Sequence, residues 1–408
     1  MKQTFTLIAL SLFSFCANAQ WDTLNTQTST DFNSISFSDN WNGLAVGQDP
    51  ITGKGAAYFT VSAGLNWVPA NMATNSLAIN DVGFFPSSSL GFAVGDSGQV
   101  FICNTNVMTI SAPMQVGTND LYCVFPANDS VNYIGGDNGV LYRTSDYGTS
   151  WDTLDVQSTQ PIRDIYFMNA LVGWIVCDGG YIGYTTDGGQ TWTAQPQDFS
   201  GFFQCKSIAF AGTNGYVIGD GGFMVNSTDA GLSWNIFSSV TAQNLTCLRF
   251  VNSLGGVMCG DNGAIYRTNT GGLNWTNESM TIVTQKLNKV CFSSDSVAFI
   301  CGENGRILKS NTDVSSVTPN AMFTMNTIAY PNPFDGDLHL RINLEKASAV
   351  MVSVTDVAGR IVLQENAGEL NAGEHTIAPA GMSSLVNGMY LIQITTSYGS
   401  VSIPVIRK

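Results

Sequence analysis

The stretch IRDIYFMNALVGWIVCDGGYIGYTTDGGQTW, residues 162–192, decides the fold. Ile165-Tyr166-Phe167 is a short apolar strand, and Asn169 to Gly173 makes a turn. Trp174-Ile175-Val176-Cys177 is a second strand, closed by the tight turn Asp178-Gly179-Gly180. Tyr181 to Thr185 is a third strand, Thr186-Asp187-Gly188-Gly189 turns again, and Trp192 opens a fourth. Glycines follow Asp or Asn because such turns need positive φ, which glycine adopts without a steric penalty.

The same unit recurs along the chain. Trp67, Trp151, Trp192, Trp234 and Trp275 are separated by 84, 41, 42 and 41 residues, the first gap being two periods. Asp96, Asp137, Asp178, Asp220, Asp261 and Glu303 keep the same beat, at 41, 41, 42, 41 and 42. Four short strands per period match a propeller blade and exclude helical solenoids. Middle strands at Gly43–Gly47, Gly91–Gly95, Tyr133–Gly136, Trp174–Cys177, Tyr216–Gly219, Gly256–Gly260 and Val297–Gly302 make seven units. The seventh stops at Ser310-Asn311-Thr312 without a Gly-x-x-Trp strand, while Trp21-Asp22-Thr23-Leu24 stands alone at the start and is similar to Trp151-Asp152-Thr153-Leu154. The expectation is an all-β, seven-bladed β-propeller over 20–312, its last blade completed by the N-terminal strand, which removes an exposed sheet edge.

Outward from the propeller, residues 1–19 read as a signal peptide. Lys2 precedes the apolar run Phe5 to Phe15, and Ala17-Asn18-Ala19 supplies a small-residue cleavage site. That run is too short for a permanent membrane anchor, and no other segment is long and apolar enough to cross as a helix. Residues 313–327, rich in Ser, Thr, Pro and Asn, read as a linker. Alternating runs from Leu338 to Val405 then predict a small Ig-like β-sandwich over 328–408.

Charge and cysteine usage narrow the partners. The chain carries a net charge of −14, and residues 20–328 hold 10 basic against 23 acidic residues. Such a surface repels nucleic acid and anionic headgroups. Eight cysteines follow the leader, and an exported chain permits disulfides; Cys247 and Cys259 are the first candidate pair, placed to face each other across one hairpin. None has zinc-site spacing, and no metal or cofactor is expected.

Two family resemblances follow from the motifs. Thr144 to Trp151, Thr185 to Trp192 and Ser227 to Trp234 fit (Ser/Thr)-x-Asp-x-Gly-x-(Ser/Thr)-Trp, with weaker copies at Thr60 to Trp67 and Thr268 to Trp275. This pattern resembles the Asp-box of sialidase-type, BNR-repeat propellers, and the whole repeat over 21–312 is similar to propellers of the photosystem II assembly-factor type. The resemblance implies a structural role for Asp146, Gly148, Trp151, Asp187, Gly189, Trp192, Asp229, Gly231 and Trp234. In the tail, Tyr330-Pro331-Asn332-Pro333, Asp356-Val357-Ala358-Gly359-Arg360, Leu370-Asn371-Ala372-Gly373, Asn387-Gly388-Met389-Tyr390 and the basic end Arg407-Lys408 stand in order. This set resembles the type A C-terminal sorting domain of type IX secretion cargo. It implies the type IX machinery as a partner, with passage across the outer membrane and release or surface attachment; Pro331, Asn332, Pro333, Gly359, Arg360, Gly388 and Tyr390 carry the signal.

Catalytic chemistry finds no residues. The propeller has no histidine, since His339 and His375 lie in the tail, so a Ser-His-Asp triad is excluded there. The sialidase resemblance calls for three arginines gathered beside a tyrosine. Arg143 and Arg267 repeat at one third-strand position, as does Lys309, and no set of arginines is expected to converge on the axis. Two irregular connections are the candidate ligand loops. One is the insertion Gln48 to Lys54, with Asp49 and Lys54; the other is the aromatic run Asp198 to Phe203, with Phe199, Phe202 and Phe203. The expected function is a secreted or surface-displayed, monomeric binding module for a polysaccharide or a surface protein. The alternatives are a polysaccharide-active hydrolase using two Asp residues, and a protein-binding assembly or adhesion factor.

Overall fold

The computed structural model describes residues 21–86, 88–128, 130–195, 203–310, 327–344, 347–356, 360–396 and 399–408. Seven antiparallel sheets account for residues 21–310. Their innermost strands are Asp31–Phe37, Ile79–Phe84, Leu121–Pro126, Ile162–Phe167, Cys205–Ala211, Leu245–Phe250 and Leu287–Phe292. Each touches its predecessor and successor, and the seventh touches the first, so the blades close a ring. Blade 4 shows the plan: Ile162–Phe167, Gly173–Cys177, Ile182–Thr185 and Thr193–Ala194 pair in that order.

Blade 7 takes its outer strand from the other end of the chain. Trp21–Leu24 pairs antiparallel with Ile307–Ser310, Trp21 facing Ser310. Trp21 is buried, and its indole Nε1 donates to Glu278 Oε2 at 3.0 Å. The ring thus has no open edge between its first and last units.

The second strands are apolar on both faces because each is sandwiched inside its own sheet and between neighbouring blades. They run into turns such as Asp137-Asn138-Gly139, where Asn138 (φ 56°) and Gly139 (φ 71°) are both left-handed. A Cβ at Gly139 would sit 1.9 Å from the Ser158 carbonyl oxygen, so only glycine fits. That explains the turn chemistry that marks the repeat.

Cys247 and Cys259 do face each other in register, yet both are free and buried, as are all the propeller cysteines except half-buried Cys291. The candidate pair is thus unbridged: the two residues pack as small apolar side chains of blade 6 against blade 7.

In the tail, Thr327–Tyr330, His339–Leu344 and Gly373–Ile377 form one sheet. Ser348–Asp356, Ile361–Leu370, Gly388–Thr396 and Gly399–Arg407 form the other. Both sheets share one core around Phe334, Leu340, Ile342, Val352, Val354, Ile392 and Ile394.

Candidate functional site: the mouth of the central channel

Every inner strand carries a register shift at its start, between 32 and 34, 79 and 81, 121 and 123, 162 and 164, 205 and 207, 245 and 247, and 287 and 289. The skipped residues are Asn33, Asn80, Tyr122, Arg163, Lys206, Thr246 and Asn288. A β-bulge re-aims a side chain out of the sheet's alternation. Here all seven point into one cavity of about 400 Å³ at the mouth of the channel.

Four of these residues tie blades together. Asn33 Nδ2 donates to Ile79 O, Asn80 Nδ2 to Leu121 O and Asn288 Nδ2 to Phe32 O, each at 2.9 Å. Thr246 Oγ1 donates to Leu287 O at 2.6 Å. In each case the acceptor is the first buried residue of the next inner strand. The other three form a charged strip. Arg163 pairs with Asp178 through Nε (3.1 Å) and Nη2 (2.6 Å) and lies 4.4 Å above the Tyr122 ring. Lys206 Nζ is 3.6 Å from both Asp178 and Asp220. Burial opposes the Arg163 charge, but the Asp178 carboxylate outweighs it and holds the guanidinium above its ordinary pKa.

Below the mouth, ion pairs cross the channel between non-adjacent blades. Lys289 of blade 7 meets Asp81 of blade 2 at 2.7 Å, and Arg249 of blade 6 meets Asp164 of blade 4 at 2.9 Å. Ser34 donates to Asp81 and Ser207 to Asp164, while the Val124 and Ile208 amides donate to the same carboxylates. Burial alone would raise the Asp164 pKa; Arg249 and Lys289 overcome it and hold the group below the usual carboxylate value. The paired charges thus separate the mouth from a second, aromatic-walled recess at the far end of the channel, which includes Phe125, Pro126, Phe250 and Phe292.

Two arginines, Arg163 and Arg249, therefore do converge on the axis together with Lys206, Lys286 and Lys289. The expectation of no such gathering fails because these cations sit on the inner strands and the segment before one of them, not at the repeated third-strand positions of Arg143, Arg267 and Lys309. The seven bulged residues were legible only as the one after the first buried residue of each inner strand, a position where seven units carry five residue types.

Among the described residues of the expected ligand loops, Asp49, Lys54 and Phe203 do not line this mouth. Asp49 closes its own turn, accepting from the Ile51 and Thr52 amides at 3.0 and 2.7 Å, and these bonds lower its pKa. Lys54 O accepts from the Asp49 amide at 2.8 Å. Phe203 stacks on Phe223 at 4.2 Å; Phe199 and Phe202 lie outside the described residues.

The Asp-containing turns sit at the opposite end of the blades, where third strands pass to fourth. Asp187 Oδ1 accepts from Thr185 Oγ1 and the Thr191 amide, and Oδ2 from Thr191 Oγ1, while the Gly189 amide donates to Thr185 Oγ1. Asp146, Gly148, Asp229 and Gly231 repeat this network. Hydrogen bonds led by Ser150 hold Asp146 down at about 2. Among the described residues, the indole Nε1 atoms of half-buried Trp151 and of buried Trp192 and Trp234 have no hydrogen-bond acceptor; each ring instead meets a phenylalanine edge-on, Phe92, Phe167 and Phe210 respectively.

In the tail, Pro331 and Pro333 follow cis bonds, and Asn332 Oδ1 accepts from the Ile406 amide at 2.9 Å. Arg360 pairs with Asp356 at 2.7 Å. Gly388 lies opposite Arg407, and Tyr390 is buried with its hydroxyl on Val386 O. Gly359 lies outside the described residues.

The fold and mouth define a seven-bladed β-propeller joined to a small two-sheet domain. Residues 144–282 match the family model of the photosynthesis system II assembly factor YCF48, and residues 328–408 match that of the secretion system C-terminal sorting domain. Among solved structures, YCF48 bound to a D1 peptide is similar at 19% identity and a TM-score of 0.60, covering 72% of this chain and 95% of that one. YCF48 from Cyanidioschyzon merolae shows 16% identity and 0.57, covering 71% and 98%. The WD40 propeller of Doa1 shows 11% and 0.57, covering 72% and 96%. No curated protein matches the chain. These likenesses establish the propeller fold, and the sorting domain indicates type IX export to the cell surface. Among the described residues no helix is long and apolar enough to cross a membrane, and no cluster of His, Cys, Asp and Glu is arranged to hold a metal.

Proposed function

We propose that the chain is an exported, non-catalytic binding propeller that holds a segment of polypeptide at its channel mouth. One observation carries this reading: five of the ten cations in residues 20–328 converge on a single polar cavity of an otherwise acidic molecule. Polypeptide suits that cavity better than a neutral glycan. Among the described residues Tyr122 is the one aromatic ring lining the mouth, and Arg163 covers it, so it is not free to stack on a sugar. YCF48, similar in fold, has been solved with a peptide, in keeping with this reading.

Catalysis is disfavoured on physical grounds. A glycosidase acid must keep its proton near neutral pH. Asp164, the carboxylate deepest in the site, is driven the other way by Arg249, and Asp81 is ion-paired with Lys289 at 2.7 Å. The leader and the sorting domain complete the picture of a surface-displayed or released monomer.

The test takes the purified chain without its leader against immobilised surface-protein peptides and a polysaccharide panel, following retention and new reducing ends together. Peptide retention without product supports the reading. Released reducing sugar overturns it.

A further inference from the structure

Resting on that reading, we infer that the mouth recognises a carboxylate on the bound polypeptide, that Lys286 is the cation that meets it, and that the flanking ligand residues are basic. The argument comes from where the repeat is broken. At the position just before the first buried residue of the inner strand, three blades carry an acceptor that fixes the hairpin turn of the preceding blade. Asp31 accepts from the Asn304 amide at 3.0 Å, Asp120 from Ser97 at 2.7 Å and Asn244 from Gly221 at 2.7 Å. Blade 7 places Lys286 there, and an ammonium cannot accept. Lys286 is exposed on the cavity, and among the described residues its Nζ has no hydrogen-bond or ion-pair partner.

The second break is at the bulges. Asn33, Asn80, Thr246 and Asn288 bond the next blade, whereas Tyr122, Arg163 and Lys206, on three successive blades, do not. These three make no bond to the next blade's backbone; they meet neighbouring blades through side chains alone, Arg163 over Tyr122 and Lys206 near Asp178. Lys206 makes only the two long contacts to Asp178 and Asp220, which leaves donor capacity on its ammonium. Lys289 and Arg249, by contrast, are engaged by Asp81 and Asp164 below. The available donors at the mouth are thus Lys286 and Lys206, with Arg163 beside them.

The surroundings set the rest of the ligand. Asp220 and Asp261 also line the cavity, and Asp96, Asp137 and Glu303 occupy the equivalent turns of other blades. This acidic rim repels a long polyanion but attracts lysine or arginine beside a single carboxylate. With their Nδ2 groups bonded to backbone, Asn33, Asn80 and Asn288 offer amide oxygens, which suit peptide N–H donors.

The test uses the full chain without its leader and three fluorescent lysine-containing peptides of one length, read by anisotropy. One ends in a free carboxylate, one in a carboxamide, and one is a carboxamide with an internal glutamate. A carboxylate peptide is expected to bind about tenfold or more tighter than the peptide lacking one, as a charge-assisted contact predicts. Which of the two wins separates a chain terminus from an acidic side chain. Lys286→Ala, at an exposed position holding no structural bond, should erase that preference, and Lys286→Arg should restore it. A preference untouched by Lys286→Ala overturns the assignment. Equal binding of all three peptides, still lost in Tyr122→Ala, overturns the carboxylate while keeping the mouth as the site; no binding of any peptide overturns both.

Discussion

Single residues here divide into those that hold the ring and those that do not, and substitution should separate them. Asp164→Asn strips the charge from a buried pair and leaves Arg249 without its counter-ion, so a loss of about 3 kcal/mol is expected in denaturant unfolding. Acid should act on the same bond. Because the folded pKa of Asp164 lies below its unfolded value near 4, its contribution is complete above that pH and disappears as pH falls through the folded value. Asp146, held at about 2, behaves alike, so thermal melts should show stability falling between about pH 4 and pH 2. A pH-independent melting temperature across that window would contradict this. Glycines give a second contrast. Gly221 (φ 66°) has open space where a Cβ would go, and Gly221→Ala should cost about 1 kcal/mol from backbone strain alone. Gly231 (φ 78°) lies flat on Trp174, whose indole a Cβ would meet at 2.6 Å, so Gly231→Ala should cost about 2–4 kcal/mol. The turn glycines were legible in the sequence because each turn type restricts its residues sharply. Arg249 and Lys289 were not, because a bulge leaves no mark in residue type.

Between elements, the contacts of Gly231 repeat around the ring. Gly64, Gly148, Gly189, Gly231 and Gly272 each seat against an aromatic ring from the second strand of the preceding blade: Phe299, Phe92, Tyr133, Trp174 and Tyr216. The corresponding residues Leu44 and Val257 precede blades 2 and 7, whose sequences lack the Gly-x-x-Trp turn. Aromatic and glycine therefore occur as interlocking halves of one joint. Three of these side chains also donate, Tyr133 to Gly188 O at 2.7 Å, Trp174 to Gly231 O at 3.2 Å and Tyr216 to Gly271 O at 2.8 Å. Tyr133→Phe keeps the ring and deletes one bond, so it should cost about 1 kcal/mol in equilibrium unfolding; no measurable change would show that the ring alone makes the joint. The period announced that units pack side by side, but only coordinates reveal which residue of one blade meets which of the next. The buried thiols belong to the same strands. Burial raises Cys205 to about 12 and the others that shift still higher, so the native chain should resist alkylation at pH 8 and expose eight reactive thiols on denaturation. A mass shift showing fewer than eight free thiols would mean that Cys247 and Cys259 had joined after all.

At the scale of the molecule, both the number of blades and the borrowed outer strand were readable from spacing, because an unpaired Trp-x-Thr-Leu at one end answered a missing one at the other. The charged mouth was hidden, since its lining is scattered along the chain from Asn33 to Lys289 and its cations share no motif. Deleting residues 20–26 should leave the edge of Ile307–Ser310 unpaired, with a lowered melting temperature and concentration-dependent aggregation in light scattering. A monomeric, equally stable deletion product would show that six complete blades and one partial blade suffice. The borrowed strand also fixes an order of events. Trp21 and its partner Ser310 are 289 residues apart, so the propeller's first strand must wait, unpaired, for its last. Until then the blades form an open fan rather than a closed disc. Translation stopped short of blade 7 leaves that fan unable to shut, so closure doubles as proof that the whole propeller has been made.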